Sequence, residues 1–285
     1  MTGSRPRRVD AHQHFWRLAR GDYGWLTPAK GPIYRDFGPA DLTPLLARAG
    51  IDATVLVQAA PTVDETRFLL ELARTTAVVA GVVGWAPLDA PDAPDVVAAL
   101  ARTPALKGLR PMLHDIPDVD WMLRPEVAPG LRAIAAADLT FDALVRPPHL
   151  PSLRRLLERH PDLRVVIDHG AKPEIAQGAR EPWATHMAGL ARETRAWVKL
   201  SGLVTEDGAE WSVERLRPYV DHLLECFGPE RMIFGSDWPV VTLRASYAEW
   251  VAAADALLVG LERGDRDRVL GLNAIACYRL DRSGA

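Results

Sequence analysis

The feature that most constrains this chain is a repeating rhythm of short, mostly apolar runs. They fall at residues 8–11, 53–58, 78–85, 105–110, 140–145, 164–169, 196–201 and 231–236. Runs of this length, rich in Val, Ile and Leu, suit strands buried on both faces. Helical patterns lie between and after them, at 39–49, 62–73, 93–102, 127–137, 150–160, 183–194, 213–227, 245–259 and 266–279. The first has Pro39 in its opening turn and Gly50 as its stop, the usual asymmetry of helix ends. The second opens on Thr62 with Glu65 three residues later, the spacing of a capping box. Strand–helix repetition requires a parallel sheet, and eight such units close a barrel of about 250 residues. The chain has 285 residues and no Gly/Ser linker or shift in composition divides it. The expected architecture is therefore α/β, a single-domain (β/α)8 TIM barrel over 1–285, with 1–7 as a flexible lead-in. A doubly wound open sheet is the alternative, but it calls for a glycine-rich phosphate loop after the first strand, and here that position reads His12-Gln13-His14.

Composition narrows the function classes. The chain is 48% hydrophobic and 25% charged, with a net charge of −3, which suits a large soluble core. Near-neutral charge gives no footing for nucleic acid. The basic start, Met1 to Arg8, has no apolar segment after it, so no signal peptide is expected, and no run is long enough to span a membrane. Cys226 and Cys277 lack metal-ligand spacing and read as reduced, buried thiols of a cytoplasmic protein. Oligomeric state leaves no mark in the sequence.

In barrels of this kind the chemistry lies at the C-terminal strand ends, and the residues expected there are polar. The first strand leads into His12 and His14, which project to the same side if the backbone stays extended; two such imidazoles suit a divalent metal or a carbonyl to be polarised. The fourth strand ends in Arg110, the sixth in His169, the seventh carries Lys199 and Ser201, and Asp237 follows the eighth. Each has a plain structural reading, such as a solvent-facing charge or a cap, yet all fall at the same end. The aromatic segment 15–38 is too long for an idle connection.

Taken together, Asp10-Ala11-His12-Gln13-His14-Phe15-Trp16, Lys107-Gly108-Leu109-Arg110, Val166-Ile167-Asp168-His169-Gly170-Ala171-Lys172-Pro173, Lys199-Leu200-Ser201-Gly202-Leu203 and Ile233-Phe234-Gly235-Ser236-Asp237-Trp238-Pro239 resemble the amidohydrolase superfamily. Within it they are similar to the branch of sugar-lactone hydrolases that includes L-fuconolactonases and L-rhamnonolactonases, over nearly the whole chain. The resemblance implies that His12 and His14 are the strand-one pair, His169 the strand-six histidine, Asp237 the water-activating aspartate and Arg110 a substrate-facing arginine. Two-metal members use a carboxylated lysine on strand four and a histidine on strand five. Here Lys107 has the opposite parity to Arg110, so both do not face the axis, and His149 reads as the start of the next helix. At most one divalent ion is expected, zinc first, on His12, His14 and Asp237; metal-independent action is the other expectation.

These residues suit opening of a lactone, a cyclic ester whose hydrolysis needs a base for water and positive charge for the oxyanion. Asp237 is the expected base, with His169 and Arg110 at the carbonyl. Trp16, Trp25, Trp85, Trp238, Lys199 and Ser201 are expected to bind substrate, the tryptophans against sugar faces, with core packing as their competing reading. The partner is a small-molecule lactone, not nucleic acid or membrane. Two rival functions stand beside this one: a metal-dependent decarboxylase, and a non-catalytic barrel that binds a sugar acid.

Overall fold

The computed structural model describes residues 6–280, and the expectation of flexibility for residues 1–5 lies outside them. Eight strands run in the order of the sequence around one parallel sheet: β1 (Val9–Gln13), β2 (Ala53–Val57), β3 (Val79–Gly84), β4 (Leu106–Leu109), β5 (Thr140–Ala143), β6 (Arg164–Ile167), β7 (Trp197–Leu200) and β8 (Met232–Phe234). The ring closes where β8 returns to β1. Asp237 N donates to His12 O at 2.7 Å and His14 N donates to Trp238 O at 2.7 Å. That closure places Asp237 against the two histidines. The molecule is a single-domain (β/α)8 barrel.

Around the sheet lie α1 (Pro39–Ala49), α2 (Val63–Thr75), α3 (Ala93–Ala101), α4 (Ala128–Ala136), α5 (Leu150–Arg159) and α6 (Trp183–Glu193). They are followed by a short α7 (Leu203–Asp207), then α8 (Val213–Phe227), α9 (Tyr247–Leu257), α10 (Arg263–Asp267) and α11 (Asn273–Tyr278). Each barrel helix buries one stripe on the sheet. In α8, Leu216, Val220 and Leu223 are fully enclosed, and each such side chain contributes about 1.5–3 kcal/mol by leaving water. Trp250 of α9 pins that helix to the barrel, donating Nε1–H to Gly235 O at 2.8 Å.

Two expectations are corrected. The last helix, expected over 266–279, is broken by a π-turn at Arg268–Leu272 between α10 and α11. Gly271 lies within that turn against the Arg7 carbonyl, which an added Cβ would meet at 2.0 Å. The Thr62–Glu65 pair is only half a capping box. Thr62 Oγ1 accepts from Glu65 N at 3.0 Å, but the Glu65 carboxylate accepts from the Ala59 and Ala60 amides instead. Burial lifts that carboxyl to about 7 despite those bonds. A second apolar cluster joins the starts of the strands, Val9 and Ala53, to Ala274, Cys277, Tyr278 and Leu280. The C-terminal segment thus closes the end of the barrel opposite the strand-end residues. Cys277 is buried as expected, whereas Cys226 is only half-buried.

Candidate active site

Strands β6 and β8 end abruptly because the backbone turns left-handed just beyond them. His169 has φ 53° and Asp237 has φ 58°, a conformation uncommon for residues with a Cβ, and strain of this kind gathers at functional positions. The turns bring both side chains over the barrel mouth. Two glycines make room for them. At Gly202, φ +66°, a Cβ would lie 2.5 Å from His169 Nδ1, and at Gly235 it would lie 2.7 Å from the Cβ of His12.

His12, His14, His169 and Asp237 meet at one point. Asp237 Oδ1 lies 3.2 Å from His14 Nε2, 3.7 Å from His12 Nε2 and 3.9 Å from His169 Nε2. His14 Nδ1 donates to the Val57 carbonyl at 2.8 Å, so Nε2 is the nitrogen that faces the carboxylate. His169 Nδ1 is held by Ser201 Oγ at 2.8 Å. Burial pushes the His12 and His169 imidazoles well below their usual range, with the Lys199 charge adding to the effect at His12. Burial alone would raise the Asp237 carboxyl, but His169, the contact with His14 and Lys172 outweigh it and hold it below its ordinary value. The carboxylate is therefore ionised and ready to accept a proton.

Arg110 reaches the same point from β4. Its NH2 and Nε donate to Gln58 Oε1 at 2.6 and 3.0 Å, NH2 also donates to the Gln58 carbonyl, and NH1 lies 3.3 Å from His12 Nε2. Beneath these groups is a buried ion cluster. Lys199 Nζ lies 2.7 Å from Asp142 Oδ2 and 2.9 Å from Asp168 Oδ1, and 3.1 Å from His12 Nδ1. Tyr278 OH donates to Asp142 Oδ2 at 2.6 Å. Burial would lower the Lys199 ammonium, but the two aspartates raise it on balance.

Above the cluster opens a cavity of about 310 Å³ lined by His14, Trp25, Arg110, His169 and Asp237, with Lys172 and Arg146 at its sides. The tryptophans part company here. Trp25 lines the cavity, its indole pinned by Nε1–H to Ala59 O at 2.7 Å. Trp16 and Trp238 are buried and do not line it; they pack edge-on against Phe37, with ring centres 5.5 and 5.2 Å away, and so hold the segment 15–38 over the mouth. Trp85 lines a neighbouring chamber. Lys199 and Ser201 lie wholly below the surface and act through His12 and His169. Gln58, Asp142, Asp168 and Tyr278 were not among the residues expected at the site. Asp142 and Asp168 carried a legible signal, a carboxylate within an otherwise apolar strand run.

The donor set suits one divalent ion. His12, His169 and Asp237 each offer a ligand atom, all within 4.8 Å of one another, and His14 Nε2 adjoins the same carboxylate. Two imidazoles and a carboxylate are the ligand types of a mononuclear site with an open position. Beside the expected set of His12, His14 and Asp237, this group has His169 in the place of His14, whose Nε2 stays 3.2 Å from Asp237 Oδ1. Lys107 is half-buried and donates to Arg279 O at 3.3 Å. His149 sits at the start of α5, its Nδ1 3.3 Å from the Arg146 amide. Neither reaches this point.

A parallel barrel with imidazoles, a carboxylate and a guanidinium converging at its mouth defines a hydrolase-type barrel site. The chain belongs to the amidohydrolase family, whose model matches residues 9–280. It is 48% identical over 279 residues to an L-fucono-1,5-lactonase of Burkholderia ambifaria, covering 96% of both chains. It is 37% identical over 287 residues to an L-fucono-1,5-lactonase of Burkholderia multivorans, again covering 96% of both. Among solved structures, an amidohydrolase of Burkholderia multivorans with bound zinc superposes with a TM-score of 0.91 at 36% identity, covering 96% of this chain and 99% of that one.

Proposed function

We propose that this protein hydrolyses the lactone of a sugar acid, with L-fucono-1,5-lactone as the first substrate to try. The observation that carries this reading is the Asp237 carboxylate, held ionised at the cavity floor within 3.2–3.9 Å of three imidazoles and beside a guanidinium that lines the same cavity. The naming of two relatives as lactonases supports it. The same relatives weigh against a decarboxylase. A barrel that only bound a sugar acid would have no use for an ionised carboxylate at the floor.

Asp237 takes a proton from water as the oxygen attacks the lactone carbonyl carbon. The carbonyl oxygen becomes an alkoxide, which the Arg110 guanidinium stabilises because its three bonds to Gln58 and its contact with His12 fix it before reaction. The intermediate collapses, the C–O ring bond breaks, and the ring oxygen leaves with the proton Asp237 had taken. One water is consumed and one hydroxy acid forms, ionising to its carboxylate. Lys172 and Arg146 at the cavity sides suit the anionic product. Trp25 offers an aromatic wall to the sugar face. Ser201 fixes the ring of His169, and Lys199 that of His12. A divalent ion on His12, His169 and Asp237, with His14 adjoining, would supply Lewis-acid polarisation of a carbonyl; zinc is the ion this donor set suits first.

No helix of the described residues is long and apolar enough to cross a membrane, and both cysteines are free, which suits a reducing, cytoplasmic setting. The function is tested with a panel of aldonolactones and a pH indicator. Acid release that depends on enzyme, strongest among 6-deoxyhexono-1,5-lactones, is expected. A panel that yields no enzyme-dependent acid would refute the assignment.

A further inference from the structure

Beside the cavity at the barrel mouth lies a second chamber, of about 550 Å³, lined by Trp25, Trp85, Trp121, Asp22, Asp89 and Gly24 among others. Trp25, Met112 and Asp115 line both spaces, so the two adjoin across a shared wall. We propose that this chamber is a binding subsite for a second sugar ring, and that the protein accepts sugar lactones carrying a glycosyl substituent. The proposal rests on the lactonase reading for the first ring and goes beyond it for the second.

Three observations point to a neutral sugar. The walls are aromatic and fixed. Trp25 Nε1–H donates to Ala59 O at 2.7 Å and Trp121 Nε1–H to Asp89 Oδ2 at 3.1 Å, so two of the three indoles are anchored in a wall of the kind a pyranose packs on. Polar groups sit among them. Asp89 and Asp115 are exposed and Trp85 is half-buried, and hydroxyls suit such carboxylates as donors. The charge is one-sided as well. The chamber lining has Asp22, Asp89 and Asp115 but no lysine or arginine, whereas the first cavity sets Lys30, Arg110, Arg146 and Lys172 against Asp115, Glu206 and Asp237. The chamber therefore offers an anion no cation, and the cations near the mouth all line the first cavity. One molecule satisfies both, with its lactone in the first cavity beside Arg110 and Asp237 and a neutral glycosyl group in the acidic, aromatic chamber.

Gly24 gives a clean way to fill the chamber. A Cβ there would meet nothing within 4 Å, and its backbone is not left-handed, so Gly24→Phe adds bulk without backbone strain. The probes are aldonates, the ring-opened products, either unsubstituted or bearing a hexosyl group at O2, O3 or O4. Binding is measured by calorimetry, and hydrolysis is followed on the matching 1,5-lactones. At least one glycosylated aldonate should bind about tenfold tighter than its parent, the size of a good aromatic contact. Gly24→Phe should abolish that gain, and Trp85→Ala, which removes a wall instead of filling the space, should reduce it. Both variants should leave the parent compounds within about twofold of wild type in binding and turnover. Equal or weaker binding of every glycosylated aldonate would overturn the proposal, as would a gain that survives Gly24→Phe. If the parents bind but no parent lactone is hydrolysed, the lactonase reading falls. The chamber assignment is still decided by the binding data.

Discussion

Lys199→Met is the perturbation that most exposes how the barrel interior is held. Lys199 is wholly buried, and its ammonium is shared by Asp142 at 2.7 Å and Asp168 at 2.9 Å. Methionine fills nearly the same volume, so little of the effect comes from a cavity. What remains is two carboxylates without their shared cation, Asp142 with no other cation against it in this cluster and Asp168 with Arg110 NH1 at 3.4 Å. Removing one partner of a buried ion pair costs about 3–5 kcal/mol, since it strands an uncompensated charge. In a domain of this size each kcal/mol lowers Tm by about 2–4 °C, so a drop of roughly 6–20 °C is expected. The second variant, Lys199→Met with Asp142→Asn, removes one of the stranded charges and should recover part of the loss. The amide oxygen introduced by Asp142→Asn can still accept from Tyr278 OH, which now donates to Asp142 Oδ2 at 2.6 Å. Urea denaturation followed by circular dichroism measures both variants. A single variant within about 1 kcal/mol of wild type, or a double variant weaker than the single, would refute the reasoning.

Three further outcomes follow. Glu65 has its folded carboxyl raised from 4.5 to about 7, so the folded state holds its proton over a range where the unfolded chain has lost it; stability falls as pH rises from about 4.5 to 7, by roughly 3 kcal/mol at most, and Glu65→Gln should flatten that decline in denaturation curves taken across this window. Gly202→Ala should lower kcat by about tenfold or more, because a Cβ 2.5 Å from His169 Nδ1 displaces a ring beside the reacting atoms; unchanged kinetics would show that the position of His169 does not matter. Elemental analysis should find no more than one divalent ion per chain, and two zinc equivalents with a carboxylated Lys107 would contradict the single-site geometry.

The barrel was legible because its signal is repeated. Eight apolar runs with helices between them leave few other topologies, and the strand-end residues follow from that count. His12 and Arg110 could be placed from the pattern alone. The inward turn of His169 could not, because it depends on a left-handed backbone at a residue with a Cβ, and on Gly202 thirty-three positions away making space for the ring. The Lys199–Asp142–Asp168 cluster was hidden for a related reason. Its charges sit in apolar strands, where local pattern predicts burial but gives no partner, and the pairing exists only once the ring has closed. The tryptophans misled in part. Their composition suits sugar binding, yet Trp16 and Trp238 are buried in T-shaped contacts with Phe37, contacts between segments that are remote in sequence.

The central claim is that Asp237 takes the proton from water, and Asp237→Asn tests it most directly. Asparagine keeps the size of the side chain but cannot accept the proton. Kinetics on a hydrolysed lactone, with metal content determined on the same sample, should show kcat reduced by about 10²–10⁴-fold with KM little changed. An Asp237→Asn protein that keeps full kcat would contradict the account.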